Sequence, residues 1–256
     1  MLQQTQAARV VPAFEAFVAR FPDVGTLATA SRADVLRAWG RLGYPRRAVA
    51  LHRAAIEIVQ RLGGDVPRDP AVLRSLPGVG DYTSAAIASI AFGAPVAAVD
   101  TNVRRVWARV DFGADPDTVS ARVLADAAAA WLDPRRPDMW NQALMDLGRD
   151  VCRPAPRCER CPLRSWCRFE TEGRRAQRPT MRRQPRYEGS MRQVRGRVLH
   201  LLQERAPRTL GGMARTLETP VPRVADAVRG LHGDGVVTAS RAALGGRDGG
   251  RVALPD

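Results

Sequence analysis

The chain has 256 residues, enough for one large domain and a small one, and its 45% hydrophobic content allows a sizeable core. All 40 basic side chains are arginine and the formal net charge is +14, so a polyanionic partner is expected, nucleic acid first; a generally basic surface without a ligand would read the same way. No stretch approaches the ~20 apolar residues of a membrane span, and the opening Met1-Leu2-Gln3-Gln4-Thr5-Gln6 is not a signal peptide.

Much of the apolar content is Ala, Val and Leu, which leans helical. Residues 1–150 read as successive amphipathic helices. Breaks fall near Phe21-Pro22-Asp23, Gly43-Tyr44-Pro45, Gly63-Gly64-Asp65 and Pro77-Gly78. Apolar residues recur at helical spacing over 34–39, 48–62, 83–92 and 121–131, and no series of alternating strands is evident. The cysteine loop occupies 151–170. An Arg/Pro-rich linker, 171–189, carries Arg174, Arg175, Arg178, Arg182, Arg183 and Arg186 and reads as a basic arm. From 190 to 256 the character changes: helices over 191–204, 210–217 and 221–231, then a Gly-rich hairpin, together like a small winged helix. The fold class expected is all-α with this small appended domain.

The expected compartment is the cytoplasm, at the nucleoid, where disulfides are rare. The four cysteines therefore need another explanation. Cys152, Cys158, Cys161 and Cys167 have the spacing C-x5-C-x2-C-x5-C and are the only cysteines in the chain. Structural zinc sites usually come as two close pairs. One C-x2-C pair flanked by single cysteines suits an iron–sulfur cluster better, with zinc as the alternative. Arg153, Arg157, Arg160, Arg164 and Arg168 surround these cysteines and would turn positive charge towards DNA phosphates.

Leu76-Pro77-Gly78-Val79-Gly80-Asp81-Tyr82-Thr83 lies between two helical segments. Gly78, Val79 and Gly80 allow a tight turn with close backbone approach, and the helix that follows offers free amides and a positive dipole end to a phosphate. An ordinary helix–turn–helix connection could use the same residues.

A helix-hairpin-helix followed some seventy residues later by a four-cysteine loop resembles the endonuclease III class of DNA glycosylases. Several stretches resemble its adenine DNA glycosylases, which act on adenine opposite 8-oxoguanine. These are Met1-Leu2-Gln3-Gln4-Thr5-Gln6, Leu42-Gly43-Tyr44, Leu76-Pro77-Gly78-Val79-Gly80, Val99-Asp100-Thr101-Asn102-Val103-Arg104-Arg105-Val106 and Trp140-Asn141-Gln142-Ala143-Leu144-Met145-Asp146-Leu147-Gly148. The resemblance runs to about residue 170. It implies two helical lobes with DNA between them, and a monomer that removes mispaired adenine from double-stranded DNA with a 4Fe–4S cluster on the four cysteines. It also implies that Asp100 is the catalytic carboxylate; that Leu2, Tyr82 and Asn102 border the base pocket; and that Gln3, Gln4 and Tyr44 fill or wedge the duplex. Asp100 could equally be only a helix N-cap, and the tyrosines ordinary core or rim residues.

Bifunctional relatives cut the sugar–phosphate backbone with a lysine amine. This chain has no lysine, and Tyr82 holds the hairpin position, so a glycosylase without lyase activity is expected. Three features depart from the family. The general-acid glutamate just upstream of Met1 is absent, which would impair excision; the expectation is a true start further upstream. The first cysteine gap has five residues where six are usual. The section after residue 170 does not resemble the family's 8-oxoguanine-reading domain. The alternatives are a thymine or uracil mismatch glycosylase and a non-catalytic DNA-binding protein.

Overall fold

A computed structural model describes residues 1–2, 5, 7–173, 186–204 and 206–256. Gln3, Gln4 and most of the Arg/Pro-rich linker, with Arg174, Arg175, Arg178, Arg182 and Arg183, lie outside the described residues.

In chain order the helices are α1 (Ala7–Arg20), α2 (Val24–Thr29), α3 (Arg32–Trp39), α4 (Arg46–Arg61), α5 (Pro70–Arg74), α6 (Asp81–Phe92), α7 (Thr101–Phe112), α8 (Ala121–Ala130), α9 (Pro137–Asp150), α10 (Arg168–Thr171), α11 (Met191–Glu204), α12 (Leu210–Leu217), α13 (Val221–Gly233) and α14 (Arg241–Leu244). Three short strands, β1 (Arg208–Thr209), β2 (Thr238–Ala239) and β3 (Arg251–Ala253), and three 3-10 turns, Pro116–Thr118, Cys158–Arg160 and Arg164–Trp166, complete the described elements. The fold is thus mostly helical, as the composition predicts.

Local chemistry sets most helix starts. Asp23, Ser31, Asp69, Asp100 and Ser120 each accept an amide at the first turn of α2, α3, α5, α7 and α8. Gly93 and Gly113 end α6 and α7 in the left-handed conformation. The four helical spacings over 34–39, 48–62, 83–92 and 121–131 correspond to α3, α4, α6 and α8. Periodicity does not single out α2 and α5, which have only 6 and 5 residues.

Contacts divide the chain into two compact units, Met1–Asp65 with Arg183–Asp256, and Val66–Arg182. The division cuts the stretch 1–150 after Asp65 and joins its first part to 190–256. In the first unit one continuous core joins Val35, Leu36, Trp39 and Val49 to Val198, Leu202, Met213 and Val228. Gln203 Nε2 donates to the Leu36 carbonyl at 2.8 Å, and Arg46 pairs with Asp234 at 3.6 Å. Leu36, Leu202, Leu210 and Leu231 are almost wholly buried, each contributing about 1.5–3 kcal/mol of hydrophobic stabilisation. The sheet of this unit has the order β1-β3-β2, antiparallel throughout, with Val252 facing both Arg208 and Ala239. The expected Gly-rich hairpin is present as β2 and β3; α14 and the pairing of β1 are additions that two-residue strands and a four-residue helix do not announce in sequence.

In the second unit α7 is central. Val103, Val106, Trp107 and Val110 from it pack with Leu124 of α8, Leu144 of α9 and Phe169 of α10. No helix among the described residues is long and apolar enough to cross a membrane.

Candidate active site

Within the second unit, α5 and α6 form a hairpin. The turn between them places Gly78 at φ +79°, a conformation that disfavours any side chain. Val79 N donates to the Leu76 carbonyl, and extended Gly80 caps α6, whose first amides lie outside the helix ladder. Gly78, Val79 and Gly80 therefore form the compact, backbone-exposing turn that the sequence predicts. Asp81, exposed at the first position of α6, pairs with Arg74 at 2.7 Å.

Tyr82 follows on the first turn of α6. Its hydroxyl donates to Met145 Sδ at 3.0 Å. Burial, with a smaller contribution from the nearby Asp100 charge, pushes its pKa above the ordinary tyrosine value. Tyr82 and Asp100 are thus neighbours although 18 positions separate them in sequence.

Asp100 is a helix cap in fact. Its Oδ1 accepts from the amides of Asn102 and Val103, both at 2.8 Å, and its Oδ2 accepts from Asn102 Nδ2 at 2.9 Å. Capping does not exhaust the carboxylate. Oδ2 carries one donor among the described residues, and the three bonds fix the orientation of the group. The approach to Asp100 is fixed as well. Asn141, 1% exposed, accepts from Ala98 N at 2.8 Å and donates to Val96 O, Ser89 Oγ and Pro137 O at 2.9, 3.0 and 2.8 Å. One buried amide thereby ties the segment before Asp100 to α6 and α9. Arg105 adds a third constraint: it donates to Asn102 Oδ1 at 3.0 Å and to the Gly148 and Cys152 carbonyls at 2.6 Å each. Gly148 lies against Asn102, where a Cβ would stand 2.7 Å from the asparagine's own Cβ.

The four cysteines line a single cavity, walled also by Val106, Val110, Leu147 and Phe169. Two 3-10 turns, Cys158–Arg160 and Arg164–Trp166, bend the loop around it. Arg109, 3% exposed, donates to the Arg153 and Pro154 carbonyls at 2.7 and 3.2 Å and lies 3.8 Å from Cys152 Sγ. Burial pushes the Cys152 and Cys161 thiols up, and Cys158 to about 11, where Glu170 adds to the shift. Among the described residues no three His, Cys, Asp or Glu side chains stand as a group able to hold one metal ion. The arginines around the loop are not all free to face phosphates: Arg164 pairs with Glu170 at 2.9 Å and Arg168 with Glu172 at 3.2 Å.

The remaining expected site residues belong to the first unit. Leu2 is 64% exposed. Tyr44 is 51% exposed and adopts φ +47°, uncommon for a residue with a side chain. Arg47 supports it, stacking on the rings of Tyr44 and Trp39 and donating to the Met1 carbonyl at 3.2 Å and Thr5 Oγ1 at 3.0 Å. Gln3 and Gln4 lie outside the described residues.

Residues 1–126 match the HhH-GPD superfamily of base excision DNA repair proteins. The chain is 47% identical over 206 residues to the adenine DNA glycosylase of Mycolicibacterium smegmatis, covering 80% of this chain and 69% of that protein. The chain belongs to the adenine DNA glycosylase family. Similarity to the human adenine DNA glycosylase is 45% over 172 residues, 66% of this chain and 32% of the human one. Among solved structures, a thermostable thymine-DNA glycosylase superposes with a TM-score of 0.62 at 28% identity, covering 67% of this chain and 80% of that one. An endonuclease III in a non-covalent DNA complex superposes at 0.58 with 25% identity, covering 66% and 79%.

Three further residues of this adenine glycosylase family member support the site: Asn141, Arg105 and Gly148. All lie inside stretches that mark the family, yet nothing in their residue type assigns them a role. A buried asparagine within an amphipathic helix pattern is the one local signal that could have flagged Asn141.

Proposed function

We propose that the chain excises adenine from double-stranded DNA by hydrolysing its N-glycosidic bond, where adenine stands opposite 8-oxoguanine or guanine, and that it has no lyase activity. The observation that carries this reading is Asp100, held by three hydrogen bonds beside half-buried Tyr82 and Asn102. Departure of a base leaves cationic character on the sugar. A carboxylate already oriented by its own helix stabilises that charge without reorganising. Tyr82 and Asn102 offer an aromatic face and an amide to a base rotated out of the stack. The hairpin turn at Gly78, Val79 and Gly80 contributes backbone amides for a phosphate. The same reading gives Leu2 a role against the flipped base, and Tyr44, Gln3 and Gln4 a role at the duplex near the lesion.

A 4Fe–4S cluster takes one thiolate on each iron, so it needs four cysteines around one cavity rather than three on one ion. Four thiols surround one cavity, and the buried Arg109 offsets the thiolate charge that such a cluster requires. Cys152, Cys158, Cys161 and Cys167 would hold it. When bound it would supply a covalent anchor that fixes the loop against α7. The absence of any side-chain primary amine supports excision without strand cleavage.

Single-turnover excision from duplexes carrying A:8-oxoguanine, A:G, T:G and U:G tests the proposal. Adenine release from the first two alone is expected. Asp100→Asn should lower that rate by about 10²–10³ with duplex binding retained. Release of thymine or uracil but not adenine would place the activity with mismatch glycosylases. A borohydride-trapped covalent adduct would overturn the assignment of a pure hydrolase.

A further inference from the structure

Residues 191–254 carry none of the site side chains described above. Their element order is α11-β1-α12-α13-β2-α14-β3, with β3 central in an antiparallel sheet. We propose that residues 191–254 form a winged-helix module that grips duplex DNA through its wing, independently of sequence and of any lesion.

The wing is the segment between β2 and the end of β3. It is built to hold its shape. Ser240 Oγ caps α14 through Ala243 N at 3.2 Å and also accepts from Arg251 N at 3.0 Å. Arg247 N donates to the Ala242 carbonyl, and Gly250 N to the Arg247 carbonyl, both at 2.9 Å. The tip is pinned to the start of α12: Leu210 N donates to the Gly250 carbonyl and Gly211 N to the Asp248 carbonyl, both at 2.8 Å. Gly250 has no room for a side chain, since a Cβ would stand 2.2 Å from Ala243 N.

This rigid loop presents Arg241, Arg247 and Arg251, all exposed. None of the three guanidinium groups makes a hydrogen bond or ion pair among the described residues. Elsewhere in the module Arg195 pairs with Asp234, Arg229 with Asp226, and Arg223 donates to the Gly189 carbonyl, while exposed Arg197 and Arg215 on α11 and α12 stand singly, apart from the wing's cluster of three. Asp248 is the only acidic residue between 235 and 255, so three arginines against one aspartate leave a local charge of +2. Rigid, unpaired guanidinium groups on a narrow glycine-rich loop suit phosphates and a narrow minor groove. On α13, by contrast, Arg229 and Asp226 neutralise each other. Arg223 of the same helix is held by the Gly189 carbonyl, so the contact proposed here is of wing arginines with phosphates and carries affinity rather than sequence preference.

The test is binding of the full chain to an unmodified, fully paired 20-base-pair duplex, measured by anisotropy from about 50 to 200 mM salt. Each phosphate contact contributes about 0.9 to the slope of log K against log salt, so replacing Arg241, Arg247 and Arg251 together by Gln should flatten it by about 2.7. The parent would then lose roughly 40-fold more affinity than the variant across that range. Replacing the same three by Lys should preserve the parent slope. An unchanged slope in the Gln variant overturns the proposal and leaves a protein as the wing's partner. An equal flattening when exposed Arg61, Arg122 and Arg135 are replaced by Gln also overturns it, because the effect would then be that of net charge alone.

Discussion

Asn141 gives the sharpest test of how the site is held. Its side chain makes four hydrogen bonds in a position 1% exposed, and it contacts the chain two residues before Asp100. In Asn141→Ala the amide of fully buried Ala98 loses its acceptor, and the carbonyls of Val96 and Pro137 and the hydroxyl of Ser89 lose a donor. A buried amide left unpaired costs about 1–3 kcal/mol, and each lost bond about 1 kcal/mol. The sum is about 4 kcal/mol, a large part of the 5–15 kcal/mol typical of a native protein. A Tm lower by roughly 8–16 °C follows for a chain of this size. Asn141→Asp keeps the acceptor for Ala98 N but turns a carboxylate towards three oxygens. Such a group has a folded-state pKa raised above its unfolded value of about 3.9. Its penalty is therefore absent at low pH, grows as pH rises from about 4 to the folded pKa, and is constant above it. Urea unfolding of both variants between pH 4 and 8 measures these effects. Excision should fall further than duplex affinity, because the loosened segment leads to Asp100. An Ala variant within about 0.5 kcal/mol of the parent, or an Asp variant with no pH dependence, would refute the reasoning.

Gly148→Ala gains about 1 kcal/mol of helix propensity but forces a methyl into Asn102; overpacking of about 1–3 kcal/mol wins, so Tm and excision rate should both fall, and a rise in Tm would contradict the packing. The hydroxyl of Tyr82 should titrate above the ordinary tyrosine range. Ultraviolet difference titration should show one of the chain's three tyrosines ionising late, and Tyr82→Phe should remove that component. Its raised pKa also means that this part of the stability is present below pH 10 and lost as pH rises towards the folded value. Asp81→Asn removes a carboxylate from the helix end that faces the hairpin, so duplex affinity at low salt should rise about two- to fivefold, measured by anisotropy.

Much of the local structure was legible because it depends on neighbours in sequence. Asp100 before Thr101-Asn102-Val103 has the form of an N-cap, and it is one. Gly78 in the hairpin needs the left-handed region, and it occupies it. Helices α11 and α12 have the bounds that their periodicity predicts. The supports of Asp100 were not legible. Asn141, Arg105 and Gly148 reach partners 43 to 52 positions away, and no spacing rule links them. Nor does sequence reveal that Arg164 and Arg168 spend their charge on Glu170 and Glu172, which depends on how two 3-10 turns bend the loop.

The sequence by itself determined the helical class, the hairpin, the four-cysteine loop and the arginine-only positive charge, since composition and short-range spacing decide each of these. Only the tertiary structure decided that residues 1–65 share a core with the C-terminal section and that Tyr82 stands beside Asp100. It also decided that four thiols line one cavity and that three wing arginines are unpaired among the described residues. Each of these depends on which apolar faces meet across long stretches of chain, and burial of those faces is non-directional, so the pattern of one face does not name its partner.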